Sequence, residues 1–503
     1  MNARDDVAAM ASRQPVPASA PEEAPASPRR WIVLAVVLAA GFIELLDINI
    51  VNIAVPSIQR DLGSSDAQIQ WVLAGYLLAF GVTQVTGGRL GDIYGRKRQL
   101  LAGTAGFTLA SALCGLSLSP QMLIGMRILQ GLTASLLLPQ VLGIIRVSFP
   151  SREVGTALGL FGTMVGLAFV AGPLAGGLLI RWDPLDAGWR LVFLVNLPIG
   201  LAVLLAASVV LPESRAPHPL RLDPVGVGLL TAALLMLVYP LVEGRELGWP
   251  RWAYLLMAAS LFAFVALAAH EARQKERGNS PLLDIGLFRR RAFAGGLVAS
   301  VTTMVGGASF FLVWTVFLQS GLGLTALGAG LTMLPWALGF ASASTASGPL
   351  VRRLERRLLW LAALLTVVSL LALAWTARRY GVSLHPWQLA LPLLLHGASA
   401  GFMVSPLMDI VLTNVSPQDA GAAAGAITTA QQVGHSVGIA LLGVTFFSVL
   451  ARNPSRLPQA ATATYGQVYL DALQVALWFL AGAALVTFAA IFLIPARKPM
   501  AGR

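Results

Sequence analysis

From Trp31 onward, long apolar runs alternate with short polar breaks, and the runs have the length of a bilayer crossing. "WIVLAVVLAAGFIELL" is the first of them; a spanning helix needs about 20 consecutive apolar residues. Reading runs against Gly, Pro and charge places helices near 31–55, 69–87, 99–118, 121–145, 155–180, 191–211, 223–242, 252–269, 293–319, 326–349, 358–377, 387–412, 421–450 and 471–494. The pattern therefore predicts an all-α polytopic membrane protein with fourteen transmembrane helices, and an even number puts both termini on one face. The first run is too long for a signal-peptide core and is read as a retained signal anchor. Ahead of it, residues 1–30 contain the Pro- and Ala-rich "PVPASAPEEAPASP", which reads as a disordered tail. Residues 496–503 read as a second short tail.

Composition supports a chain lying mostly in lipid: 56% of residues are hydrophobic, 12% are charged and mean hydropathy is +0.73. The net charge of +12 suggests nucleic acid only until the basic residues are sorted by loop. Lys and Arg gather in the loops on the N-terminal face, as in Arg96, Lys97, Arg98, Arg289, Arg290 and Arg291. The positive-inside rule then places both termini in the cytoplasm, and no nucleic-acid partner is expected. The single cysteine, Cys114, rules out an internal disulfide and a Cys-based zinc site. No metal site, cofactor or nucleotide motif is expected, so an enzyme is not.

The chain also repeats itself. At an offset of 260, Gly88, Leu90, Arg96 and Lys97 meet Gly348, Leu350, Arg356 and Arg357, with Asp92 replaced by Arg352. At 266, Gly155, Gly159, Gly172 and Gly177 meet Gly421, Gly425, Gly438 and Gly443, and Glu153 meets Asp419. Two copies of one unit divide the chain into a six-helix bundle at 31–212, two inserted helices with a linker at 213–285, and a second six-helix bundle at 286–495. Two such halves around a midplane site suit alternating access.

The run "GRLGDIYGRKRQL" crowds Arg89, Asp92, Arg96, Lys97 and Arg98 between two long apolar runs. Gly88 and Gly95 allow close approach and a tight turn, and Asp92 is placed to pair with Arg96 or Lys97. This is expected to be a cytoplasmic latch, made in one state and broken in the other. The run resembles the signature of the major facilitator superfamily at Gly88, Leu90, Asp92, Gly95, Arg96, Lys97 and Leu100, departing at Ile93. "RILQGLTASLLLP" is similar to a fourth-span motif of that family at Arg127, Gln130 and Gly131. "GLFGTMVGLAFVAGPLAGGLL" resembles its antiporter motif at Gly162, Gly166, Gly172, Pro173, Gly176 and Gly177. "LLDINIVNIAVPSI" and "GWRLVFLVNLPIG" resemble runs of the fourteen-helix drug/proton antiporters. The resemblance implies the major facilitator fold and export rather than uptake.

Ionisable residues inside spans are costly and serve as functional candidates. Glu44 and Asp47, three residues apart, share a face of the first helix. Counting helical rise puts Arg127 close to the level of Asp47, so Asp47 and Arg127 are expected to couple protons, with Glu44 beside the substrate. Asn49, Gln130, His396, Gln431 and His435 are further candidates for the substrate cavity. The function expected is a proton-driven exporter of lipophilic, cationic compounds in a bacterial inner membrane, acting as a monomer on protons and a small molecule. A dedicated exporter of one endogenous natural product and an uptake symporter are the alternatives.

Overall fold

The computed structural model describes residues 29–184, 186–216, 221–278, 285–412, 420–452 and 462–494. Residues 1–28 of the N-terminal tail, the tail at 496–503 and Asp419 lie outside them. The helices are α1 (Arg30–Leu62), α2 (Asp66–Tyr94), α3 (Arg96–Gly115), α4 (Pro120–Ser148), α5 (Ser151–Trp182), α6 (Gly188–Val210) and α7 (Pro224–Glu243). Then come α8 (Arg251–Glu276), α9 (Arg291–Gly321), α10 (Ala326–Val351), α11 (Arg356–Tyr380), α12 (Ala390–Leu412), α13 (Ala420–Ala451) and α14 (Thr462–Ile491). Among the described residues, 13 helices are long and apolar enough to cross a membrane. The remaining one, α3, is diluted by "RKRQ" at its start and by Gly, Thr and Ser along its length.

The sequence predicts these spans as unbroken, and three of them are not. α4 is interrupted at Ser135–Leu137, α6 at Val195 and α10 at Met333. Each interruption lies within four residues upstream of a proline, namely Pro139, Pro198 and Pro335, whose missing N–H removes the bond to the fourth residue before it. α9 ends instead in a π turn, Phe317–Gly321.

The pairings of the first six helices recur in the last six. α1 packs on α5, α2 on α4, and α3 on α4 and α6; likewise α9 packs on α13, α10 on α12, and α11 on α12 and α14. The turn between α2 and α3 has Gly95 at φ +114°, and its counterpart 260 residues later is Glu355 at φ +47°, ψ −128°. That backbone region suits glycine alone among residues without strain. Glu355→Gly is therefore expected to raise stability by about 1 kcal/mol, visible as a higher melting temperature with transport unchanged.

The halves meet crosswise. α2 lies along α13: a Cβ on Gly81 would stand 2.5 Å from Gln432 Cβ, and Gly443 abuts the Gln70 carboxamide. α5 meets α10 where the Cβ of a residue at Gly177 would stand 2.7 Å from Leu327 Cα, and one at Gly330 2.5 Å from the Pro173 carbonyl oxygen. Gln319 on α9 donates to the Ile53 carbonyl of α1 at 2.9 Å. These α5–α10 and α9–α1 contacts lie at the face away from the chain ends. Toward the other face the same side of α5 carries Gly155, Gly159, Gly162 and Gly166, and an added Cβ on any of them meets nothing within 4 Å. The halves are thus closed on the far face and separated along α5 on the face of the termini.

The inserted pair covers the α2–α13 seam. Leu230 and Leu234 of α7 and Leu267 of α8 join Leu78 and Val82 of α2 in one apolar cluster, with Val433 of α13 against it. Val238 and Val242 of α7 join Ala67 and Ala440 in another. Polar anchors fix the pair to α2 at both ends. At one end Arg245 pairs with Asp66 at 3.1 Å, Glu246 accepts from the Ala67 N–H at 2.9 Å, and Trp71 donates to Glu243 at 2.9 Å. At the other, Arg89 donates to the Arg221 carbonyl at 2.7 Å and faces Asp223 and Glu271, with His270 3.0 Å from Asp223.

Candidate functional site

α4 starts sharply because Ser119 caps it, accepting from the Met122 N–H at 3.2 Å, and Pro120 occupies its first turn. Gly131 then lies against the Tyr76 carbonyl, so α4 and α2 nearly touch. This approach sets Arg127 inside the first bundle, 1% exposed. Its guanidinium donates to Asp47 Oδ2 at 2.5 Å, to Gln130 Oε1 at 2.8 Å and to the Val72 carbonyl at 3.1 Å. It also stacks over the Tyr76 ring, 4.1 Å from the centroid.

Asp47 is fully buried and receives more than the arginine. Gln130 Nε2 donates to Oδ1 at 3.0 Å and Asn196 Nδ2 at 2.9 Å. Asn196 in turn meets Ser111 Oγ at 3.0 Å, and the Cys114 thiol lies 3.6 Å from Gln130 Oε1. Donors on α4 and α6 thus converge on one carboxylate of α1, and α3 joins the network through Asn196. A buried ion pair persists when hydrogen bonds satisfy its remaining atoms, and here three side chains from two further helices attend Asp47. Asn196 and Ser111 are the members that sequence reasoning did not place in the site. Asn196 had a signal, as the only amide in the apolar run of α6.

Glu44, one turn earlier on α1, is equally buried, yet neither carboxyl oxygen has a hydrogen-bond partner among the described residues. Asn49 turns back on its own helix, donating to the Leu45 carbonyl at 2.7 Å, while its Cβ supports Gly172 of α5. Gly176 sits on Ile50 in the same way. The antiporter-motif helix is accordingly two surfaces in series: Gly172, Pro173, Gly176 and Gly177 in tight contact, Gly162 and Gly166 in none.

The substrate candidates do not gather in one place. Gln130 belongs to the Asp47 network. His396 lines a cavity of ≈ 80 Å³ within the second bundle, beside Phe310, Trp336, Thr366 and Ser399. Its ring is 4.7 Å from that of Phe310, and Nδ1 is 3.3 Å from Ser369 Oγ. His435 lies against Gly307 of α9, and Gln431 is half-buried on α13. Aromatic side chains bridge the halves: Phe169 of α5 packs 5.6 Å from Trp336 and 5.2 Å from Phe340 by ring centroids.

In the charged loop, Asp92 pairs with Arg96 at 2.7 Å. The loop's other bonds run to the segment after α6: the Arg96 N–H donates to the Ser214 carbonyl at 2.9 Å, and the Lys97 N–H to Glu213 at 3.1 Å. A Cβ at Gly95 would stand 2.5 Å from the Glu213 carboxyl, and Gly88 lies against Pro139. Gly91 abuts the Gln140 carboxamide, whose Nε2 donates to the Gly87 carbonyl at 2.9 Å. In this conformation the loop ties α2, α3, α4 and the segment after α6 within one half. No group of three or more His, Cys, Asp or Glu side chains that could hold a metal ion occurs among the described residues.

Repeated helix pairings, an α5–α10 seam closed on one face only and a charged network inside the membrane define a solute transporter built for alternating access, not an enzyme. The chain belongs to the Major Facilitator Superfamily, whose family profile matches residues 37–439, and within it to the drug-efflux transporters. It is 42% identical to the probable actinorhodin transporter of Streptomyces coelicolor, over 84% of this chain and 73% of that one. It is 34% identical to the tetracenomycin C resistance and export protein of Streptomyces glaucescens, over 84% and 76%. The puromycin resistance protein of Streptomyces alboniger is 37% identical, over 86% and 85%. In fold, the chain resembles the crystal structure of a bacterial homologue of the human lysosomal transporter Spinster, TM-score 0.67 at 15% identity, covering 93% of this chain and 97% of that one.

Proposed function

We propose that the protein is a proton/drug antiporter of a bacterial inner membrane, with both termini in the cytoplasm, exporting lipophilic small molecules by rocking one half against the other. The observation that carries this reading is the Asp47–Arg127 pair, sealed from solvent inside the first half and held by donors on α4 and α6, so that a shift of α4 against α1 during the rocking cycle would break it. A carboxylate that loses its guanidinium in low dielectric takes up a proton, and one that regains it releases the proton. The pair thereby converts helix movement into proton binding. With the termini cytoplasmic, the separated face of α5 opens inward. The Asp92–Arg96 loop then sits on the cytoplasmic side, and its expected part is to hold one state of the rocking cycle.

A dedicated exporter of one natural product is the second reading, favoured by the 42% identity to a probable actinorhodin transporter. Both are tested in proteoliposomes under an imposed pH gradient, with a fluorescent lipophilic cation, puromycin and tetracenomycin C as probes. Gradient-driven movement of several probes supports a broad antiporter. Movement of a single probe supports the dedicated exporter. Movement that is equal with and without the gradient overturns proton coupling.

A further inference from the structure

Two acids stand one turn apart on α1 in opposite circumstances. Asp47 accepts hydrogen bonds from Arg127, Gln130 and Asn196, the donor set that holds an anion. Glu44 is 0% exposed and no side chain donates to either carboxyl oxygen, the backbone of Leu138 being the one protein group within reach of them. A buried carboxylate without partners costs far more than a neutral acid in the same place. The groups around it supply no compensating cation. Asp47 lies on the same helix face, the Tyr76 hydroxyl on α2 is itself without a partner, and the one guanidinium nearby, Arg127 of α4, is committed to Asp47. The sequence of α5 between Glu153 and Arg181, of α6 after Arg190 and of α9 after Arg291 contains no ionisable residue.

We propose that in this conformation the transported proton rests on Glu44, while Asp47 and Arg127 form a charge-balanced lock beside it. This rests on the proton-coupled export reading above. The Leu138 backbone, where α4 resumes after its interruption, lies within reach of the Glu44 carboxyl. Loss of the proton sets a negative charge near this helix start, where free N–H groups attract it. The same α4 segment carries Gln140 against Gly91 and Gly143 against Arg96, so a shift there reaches the charged loop. Glu44 is thus a proton-carrying residue linked to the loop through one half-helix.

The spectroscopic test needs no known substrate. Infrared difference spectra of the purified protein between neutral and alkaline pH should show the C=O stretch of a protonated carboxylic acid disappearing in the wild type. The band should be lost in Glu44→Gln, which keeps size and neutrality and so should fold, and retained in Asp47→Asn. A wild type without the band, or a band of undiminished amplitude in Glu44→Gln, overturns the assignment. In proteoliposomes Glu44→Gln should exchange puromycin at equilibrium and lose its response to a pH gradient. If wild type and Glu44→Gln respond equally to the gradient, this inference fails and the antiport reading stands. If the wild type itself ignores the gradient while the band maps to Glu44, the antiport reading fails instead.

Discussion

Asp47→Asn is expected to abolish gradient-driven efflux and to destabilise the protein by about 3–5 kcal/mol, the usual cost of leaving one member of a buried pair uncompensated. The cost arises from Arg127, 1% exposed, whose remaining partners are the side-chain Oε1 of Gln130 and the backbone carbonyl of Val72. Removing both charges separates stability from transport. The double variant Asp47→Asn/Arg127→Gln leaves no unpaired ion and should melt closer to the wild type, yet still fail to couple. Thermal unfolding of purified protein and proteoliposome efflux read the two effects independently. A double variant that transports under a pH gradient would remove the pair from the coupling mechanism.

The second large effect concerns the glycine face of α5. Gly162→Leu adds a side chain where nothing lies within 4 Å, so stability should change by less than about 0.5 kcal/mol. Transport should nevertheless fall to background, because the face must close against the other half in the opposite state and leucine prevents it. Gly330→Leu does the reverse, since its Cβ would stand 2.5 Å from the Pro173 carbonyl oxygen and forces apart the seam now closed. A thiol reporter distinguishes them cleanly, because the one native cysteine, Cys114, is buried. With Gly155→Cys as reporter, labelling should be at least as fast in Gly162→Leu as in the parent and slower in Gly330→Leu. Equal labelling and full transport in both would mean that α5 does not move between faces.

Much of this was legible in the sequence because the relevant distances run along single helices. Spans follow from apolar length, and a common depth for Asp47 and Arg127 follows from the rise per residue. Asn196 was visible as a polar residue in an apolar run and as part of "GWRLVFLVNLPIG", but not as a partner of Asp47. That it reaches Asp47 depends on α6 packing beside α1 and α3, which no local pattern encodes. His396 and His435 were legible as embedded polar residues, but not where their side chains go: His396 lines a cavity between helices of the second bundle and His435 lies against Gly307. The helix interruptions were readable in principle from Pro139, Pro198 and Pro335. Pro173 shows why the rule is incomplete, since α5 runs through it unbroken. Nor does composition distinguish Asp47, with three side-chain donors, from Glu44, with no side-chain donor; the difference lies entirely in neighbouring helices.

The position of α7 and α8 decides how a molecule dissolved in the bilayer can reach the interior. A two-halved transporter has two lateral seams, and on this chain one of them is roofed from Trp71 to Val85 by a hairpin anchored to α2 at both ends. Among the described residues the other seam, between α5 and α10, carries no such cover, and an added Cβ at its Gly155, Gly159, Gly162 or Gly166 meets nothing within 4 Å. A solute entering from the lipid is therefore expected to meet a hairpin on one side of the molecule and bare helices on the other.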